Sequence, residues 1–433
     1  MTSRLCVLAF AYTLMLVVTM AGCSDSFNAG PIVYTESRTM TEEIKGKPNL
    51  AGKPSLQAKV RTAIGKLFGA SPQVIKLPEG SEFPDGGIRL ANYVDTGKGA
   101  VPNLGREKPD GEASVREGGY GIYRRNCLHC HGVSGAGDGP IAPFLFPIPR
   151  DFRRGLFKFT STPNGDRPHR DDLRRTIRDG LPGSSMPAFE ALLSQSEIEQ
   201  VLDYVIFLSM RGETEQGLIE EASISDENDA EALSDDTAKE IALGVAGKWK
   251  SAQSNVVNPP IPRTPSSKES ILRGRDLFLG MTKEKLECAG CHGPRAMGDG
   301  PSFVDQKIFN EIVFGGDPSE RPNRVARLDD KTRELWTQKL DDWGNPLRPT
   351  NLNRGVYKGG RRPIDIYWRI AKGITGAQMP SHYPTVNHEQ IWDLVNFVLA
   401  LPYDPNLLRD RGPSEKEATQ SVAERAAIVT DER

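Results

Sequence analysis

The sequence predicts an all-α protein made of two tandem helical domains joined by an acidic flexible linker, and three observations lead there. A Cys-x-x-Cys-His motif occurs twice, as Cys127-Leu128-His129-Cys130-His131 and as Cys288-Ala289-Gly290-Cys291-His292. The residues flanking it recur in the same order in both halves. Each half then closes on an apolar-periodic helix, residues 196–210 and 388–401. At 433 residues the chain exceeds one core of ordinary size. Its 55 Lys and Arg nearly cancel 57 Asp and Glu, so bulk charge gives no case for nucleic acid as a partner.

The N-terminus reads as a leader. Arg4 precedes an apolar run, residues 5–20, which ends in Ala21-Gly22-Cys23, the pattern of an export signal over residues 1–22. Cys23 after Ala-Gly resembles the lipobox of bacterial lipoproteins, where that Cys becomes the lipidated first residue; Met20 stands where such boxes hold Leu. The other reading is an uncleaved anchor helix of borderline length. Both place the chain on the periplasmic side of a bacterial membrane, attached through an N-terminal lipid or anchor.

Six cysteines are present: Cys6 inside the leader, Cys23 at its end, and the two motif pairs. Nothing is left for a disulfide framework, although an exported chain has access to one. The spacing suits covalent haem, because two thiols must reach the two vinyl groups on one porphyrin edge from a single helical turn. The adjacent His131 or His292 then faces the iron as proximal ligand. A redox dithiol or one zinc site made from both pairs are the other readings of these residue types. The His in the same next position in both pairs favours haem.

A sixth iron ligand is offered twice. Gly183-Ser184-Ser185-Met186-Pro187 follows the first motif and Gly376-Ala377-Gln378-Met379-Pro380 the second. A thioether opposite His raises the potential, which suits a carrier. Met is otherwise adaptable core filler, so the pairing is what singles out Met186 and Met379. His382, three residues beyond Met379, is the rival ligand on that loop. His129 must point away from its own iron, and His169 and His388 sit in polar, surface-like contexts.

The repeat extends further. Gly119-Tyr120-Gly121-Ile122-Tyr123 answers Gly274-Arg275-Asp276-Leu277-Phe278, and Gly-Asp-Gly-Pro ends at Pro140 and at Pro301. The stretch beginning Pro149-Arg150-Asp151-Phe152 answers Pro349-Thr350-Asn351-Leu352. The helix Asp172 to Gly180 answers Asp365 to Gly373. These residues resemble the cytochrome c family of bacterial carriers over nearly all of both halves. The resemblance implies two covalently bound haem c groups. It also implies that Gly119 and Gly274 let the first helix of each domain pass close to the last, where Tyr204 and Phe397 pack. It further implies that the Pro140 and Pro301 carbonyls accept from the proximal imidazoles.

The domains expected are 113–211 and 268–405. Before them lie residues 23–112, a tether and N-terminal extension with one helix at 56–68. The second half departs from the repeat twice. Six more residues separate Phe278 from Cys288 than Tyr123 from Cys127, and 57 steps separate His292 from Pro349 against 18 from His131 to Pro149. The insertion, residues 304–345, carries Trp336 and Trp343, which either anchor a small cluster of their own or cover the second haem edge or a partner. Residues 212–267 read as the linker: from 211 to 240 eleven acidic residues face two basic ones, a solvated composition. Residues 406–433 form a polar tail. The first domain is basic, with eleven Arg or Lys against six Asp over residues 119–180. Among Arg150, Arg153, Arg154, Arg174 and Arg175, some serve haem propionates and others steer an acidic partner.

The function expected is a membrane-tethered dihaem carrier passing single electrons between respiratory-chain partners, such as a quinol-oxidising complex, a terminal oxidase or a soluble cytochrome. The alternative is a dihaem oxidoreductase of peroxidase or sulfur-compound type with its substrate site at the second haem.

Overall fold

The computed structural model describes residues 32–72, 75–81, 83, 118–227, 229, 232–404 and 406–408. The leader, Cys23 and most of the polar tail lie outside the described residues. Among those described no strand forms; Leu340 and Pro346 make an isolated bridge. The all-α expectation holds.

Helix α1, Pro54–Phe68, precedes the first motif half, which comprises α2 (Gly119–Asn126), α3 (Leu128–His131), α4 (Arg170–Asp179) and α5 (Gln195–Ser223). Next comes α6, Asp235–Ala252. The second half comprises α7 (Lys268–Phe278) and α8 (Cys288–His292), the insertion helices α9 (Gln306–Phe314), α10 (Arg321–Ala326) and α11 (Asp330–Gln338), and then α12 (Pro363–Ala371) and α13 (His388–Ala400). The long helices start where the sequence supplies caps. Ser194 with Glu197 opens α5, and Asn387 with Gln390 opens α13, each pair satisfying two orphan N–H groups reciprocally.

In each half the first and last helices cross at a glycine. A Cβ on Gly119 would meet the Gln200 carbonyl and lie 2.8 Å from Tyr204 Cβ; on Gly274 it would meet the Asp393 carbonyl and lie 2.8 Å from Phe397 Cβ. Without side chains there, the backbones approach closely, and aromatic rings seal the crossings. Tyr123 and Tyr204 lie 5.2 Å apart between ring centres, Phe278 and Phe397 5.3 Å. The packing that the family resemblance implied for Gly119, Gly274, Tyr204 and Phe397 is present.

The acidic stretch differs from its expected solvated, flexible form. α5 continues well past residue 211, and α6 folds back on it, burying Leu218, Ile219, Ala238, Ala242, Val245 and Trp249. The physical reason is that many of the acidic groups find partners distant in sequence. Glu213 accepts from the Trp249 indole at 2.7 Å and pairs with Arg167, Glu215 accepts from Ser37 N, and Asp235 pairs with Lys66 at 2.8 Å. α1 lies on the same surface, with Leu56, Val60, Ile64 and Phe68 buried and Phe68 edge-on to Phe207.

Three apolar clusters result. The largest joins the N-terminal extension, the first motif half and α6, and the second fills the second motif half. A third lies inside the insertion, where Val304, Phe309, Ile312, Val313 and Trp336 are buried with Phe146 of the first half packed against them. Phe146 lies edge-on to Phe309 and Phe314, and Arg321 donates to the Pro143 carbonyl at 2.8 Å. From Tyr34 onward the chain forms one compact unit. No helix among the described residues is long and apolar enough to cross a membrane.

Gly274→Ala should destabilise the protein by about 1–3 kcal/mol, the usual range for overpacking a filled contact. Exposed Gly244 on α6 has nothing within 4 Å of the point to which an alanine methyl would project, so Gly244→Ala should instead gain about 0.5–1 kcal/mol. Denaturant unfolding of the two variants beside the parent chain tests both signs.

Candidate haem sites

Each Cys-x-x-Cys-His segment is a short helical turn fixed by its own backbone. His131 N bonds the Cys127 carbonyl at 2.9 Å, and Gly293 N bonds the Ala289 carbonyl at 2.8 Å. The four motif cysteines are free thiols on two such turns. Burial pushes Cys127 and Cys288 each up to about 12. A redox-active dithiol needs the opposite shift, toward thiolate, so the sites do not suit disulfide exchange. Among the described residues no group of three or more Cys, His, Asp or Glu side chains converges as a metal-binding cluster, so the two pairs do not combine into one zinc site.

The proximal imidazoles are held alike. His131 Nδ1 donates to the Arg150 carbonyl at 3.3 Å, and His292 Nδ1 donates to the Thr350 carbonyl at 3.2 Å. Since a carbonyl only accepts, this contact puts the proton on Nδ1 and leaves Nε2 with its lone pair. Burial lowers His131 to about 4 and moves His292 in the same direction, so both rings stay neutral. The acceptors are not Pro140 and Pro301, which the family resemblance implied. The chain after each motif turns back through Gly137 N to His131 O and through Gly298 N to His292 O. Gly137 and Gly298, at φ +74° and +76°, sit directly against the Pro149 and Pro349 carbonyl groups. That contact draws residues 149–150 and 349–350 alongside the rings. The signal was visible as the repeated Pro149 and Pro349, whose following residues supply the acceptors.

The methionine loops are also equivalent. Leu181 N bonds the Met186 carbonyl and Ile374 N the Met379 carbonyl, both at 3.1 Å. Gly180 and Gly373 end the preceding helices in positive φ, against Pro187 and against Met379 and Pro380. Met186, Cys127 and Leu128 pack against the largest apolar cluster, and Met379, Cys288 and Ala289 against the second. In each half the first motif cysteine and the loop methionine thus pack against the same apolar cluster.

The halves differ beside the rings. His131 stacks on Phe152 at 4.6 Å, whereas Leu352 holds the equivalent repeat position in the second half. Three residues after Met186 stands Phe189, whose N–H bonds Ile177 O; three after Met379 stands His382, whose N–H bonds Ile370 O. Phe189 is core, while His382 is half-buried, lowered by that burial, and close enough to bias His292 electrostatically. His129 is exposed. His169 caps α4, accepting from Asp171 N at 3.1 Å, and His388 meets the Tyr367 hydroxyl at 2.6 Å, so neither is a free surface residue.

The arginines divide. Arg153 pairs with Asp151, Arg175 with Asp172, and Arg174 with Asp171 and Glu199. Arg170 joins Glu199 and Asp203, fastening α4 to α5 and so fixing the base of the Met186 loop. Arg150 and Arg154 instead lie over Trp343 of the insertion, 3.7 and 5.1 Å from its ring centre. Of the two insertion tryptophans only Trp336 belongs to a cluster within the insertion.

Comparison with known proteins fits this duplicated geometry. Residues 113–205 match the family of cytochrome C oxidase, cbb3-type, subunit III, and residues 271–402 match the cytochrome c family. This is a dihaem c-type cytochrome. Its two cytochrome c domains bind two covalent haem c groups, and the free thiol pairs with neutral, Nδ1-anchored imidazoles fit that group in both halves. The cytochrome is 27% identical over 132 residues to the cbb3-type cytochrome c oxidase subunit CcoP of Azospirillum sp. (strain B510), a match covering 30% of this chain and 43% of the relative. A chain of the reducing HAO-like protein complex of Kuenenia stuttgartiensis aligns at 25% identity with a TM-score of 0.44, over 65% of this chain and 94% of that one.

The α4–α5 clamp carries a pH signature. Burial would raise Glu199, but hydrogen bonds from Arg174 and Arg170 overcome it and hold the carboxyl at about 2, below its ordinary 4.5. A depressed carboxylate stabilises the fold above its unfolded pKa and loses that contribution as pH falls through the folded one. Stability should therefore decline between about pH 4.5 and pH 2, and Glu199→Gln should remove that part of the decline in acid-unfolding curves.

Proposed function

We propose that this cytochrome is an exported electron carrier, or an electron-carrying subunit, working between respiratory-chain partners, among them a terminal oxidase. In this reading Cys127 and Cys130 hold the first haem and Cys288 and Cys291 the second. His131 with Met186, and His292 with Met379, supply the axial ligands. When bound, haem c contributes reversible one-electron iron chemistry. The chain's own residues keep both imidazoles neutral and oriented through Nδ1, and Met186 and Met379 are the thioethers that would complete the two sites.

The observation that carries the proposal is the duplication of one complete site. An oxygen- or peroxide-activating centre needs an open coordination position, whereas each half here carries a Met loop packed against the same apolar cluster as its first motif cysteine. The relative's printed description, a subunit of a cbb3-type oxidase, supports a terminal oxidase as partner. The export pattern of residues 1–22 supports a periplasmic location, with attachment through Cys23 or an uncleaved leader; mass spectrometry of the N-terminal peptide separates lipidated Cys23 from intact Met1.

One observation favours a second reading, catalysis at the second haem: half-buried His382 holds the loop position that the core residue Phe189 holds in the first half. Rapid peroxide consumption by the reduced protein would establish it.

Met186→Ala and Met379→Ala should each remove about half of the weak far-red Met-to-ferric charge-transfer band and lower one of the two reduction potentials. A band unchanged in Met379→Ala would assign the second iron another ligand, with His382 first in line. Cys127→Ser should leave the first haem with one thioether, and Cys127→Ser with Cys130→Ser should remove its covalent attachment, read as haem staining on a denaturing gel.

A further inference from the structure

The two methionine loops repeat one backbone but are held differently. Among the described residues, the hydrogen bonds of residues 181–186 stay within the loop: Leu181 N to Met186 O, Ser184 N and Oγ to Leu181 O, and Met186 N to Ser184 Oγ. Gly183 is exposed, and a Cβ there would meet nothing nearer than Val356 Cγ1 at 3.4 Å. The second loop is grasped from outside. Asp342 N donates to the Gly376 carbonyl at 3.1 Å, and Gln378 Nε2 donates to the Leu340 carbonyl at 3.1 Å. Gly376 lies directly against the Trp343 indole, so close that a Cβ would collide with the ring. Gly165 N of the first half also donates to Thr375 Oγ1, at 3.3 Å.

The turn that grasps the loop, residues 341–345, is itself braced on the first half. Buried Asp341 accepts from Trp343 N at 3.0 Å and Asn345 N at 2.8 Å through one oxygen, and from Lys158 at 2.9 Å through the other. The Arg150 guanidinium covers the Trp343 ring at 3.7 Å. Asp342 spans the gap with its own backbone: its carbonyl accepts from Arg154 at 2.8 Å while its N–H donates to Gly376. A loop held by its own residues alone opens at small cost. One packed and hydrogen-bonded to two further segments opens only when they give way.

We propose that the 341–345 turn is a strap that keeps the second methionine loop closed, with Trp343 the positioning residue for Met379, while the first loop is free to open. The first site is then the one at which a small exogenous ligand displaces the methionine, and the second resists. The strap rests on the axial ligands proposed above and goes beyond them, since the two methionine motifs alone do not distinguish the sites. A strapped Met379 also works against an open coordination position at the second haem, which catalysis there needs.

Two measurements on the full-length dihaem protein test the strap. Hydrogen exchange read by peptide mass spectrometry should be slower over residues 374–379 than over 181–186 in the parent, and Trp343→Ala should remove the difference. Imidazole titration of the far-red band should take the Met186 half first. In Met186→Ala, where the Met379 half remains, adding Trp343→Ala should lower the imidazole needed by about tenfold or more. Trp343→Phe keeps a ring against Gly376 and should restore both readings. Thr337→Ala, at an exposed position of α11, should change neither. Arg154→Ala gives a second route, since Arg154 is exposed and braces the turn through the Asp342 carbonyl; it should speed exchange over 374–379 as well. Equal exchange in the two parent loops would overturn the strap, as would loss of the Met379 half of the band first. So would exchange over 374–379 left unchanged by whichever of Trp343→Ala and Arg154→Ala retain both haems. The exchange reading does not depend on the iron ligands: a band unchanged in Met379→Ala would sink the ligand assignment and leave the strap to be judged by exchange.

Discussion

Each half depends on a crossing of two helices at contact distance, possible only where a residue has no side chain. Gly119 lies against the Gln200 carbonyl and Gly274 against the Asp393 carbonyl. Those crossings set the positions of Tyr123 and Phe278, just before the motifs, relative to Tyr204 and Phe397 on the closing helices. From there the chain has little freedom. Tyr123 donates to the Gly132 carbonyl directly after the first motif at 2.8 Å, and the turn that follows brings residues 149–150 to the imidazole. In the second half the same crossing carries a polar lock, with buried Asp393 accepting from Ser270 and Arg273 across the two helices. The orientation of each proximal histidine is therefore a downstream result of helix packing.

The two repeats are joined by more than a linker. Lys372 donates to Thr160 Oγ1 at 3.0 Å, Val257 N to the Ser161 carbonyl at 2.9 Å, and the Trp368 indole to the Val257 carbonyl at 2.7 Å. The segment after α6 is thus stitched to both domains at one residue, Val257. The insertion adds the Phe146 contact and the Asp341 ion pair on another part of the seam.

Much of this was legible in the sequence because it is local or repeated. The motif turns, the glycine crossings, the methionine loops and the α1 helix follow from short-range patterns and from reading one half against the other. What composition misread was long-range. The acidic run after residue 211 looks solvated when its charges are counted alone, yet Glu215 is answered by Ser37 and Asp235 by Lys66, partners that lie far back in the N-terminal extension. The acceptor for each proximal histidine was similarly missed, because Arg150 and Thr350 act through backbone carbonyls, and only the repeated Pro149 and Pro349 before them marked the place. Trp343 could not be placed from sequence either. Its partners lie in the other half of the repeat, and nothing near residue 343 names them.

Continuation of α5 beyond the first domain, with α6 returning along it, has a mechanical consequence. A flexible connection would let each redox centre meet its partner independently and vary the distance between them. Here the two centres share one body, so their separation and mutual orientation are properties of the fold and not of diffusion within the chain.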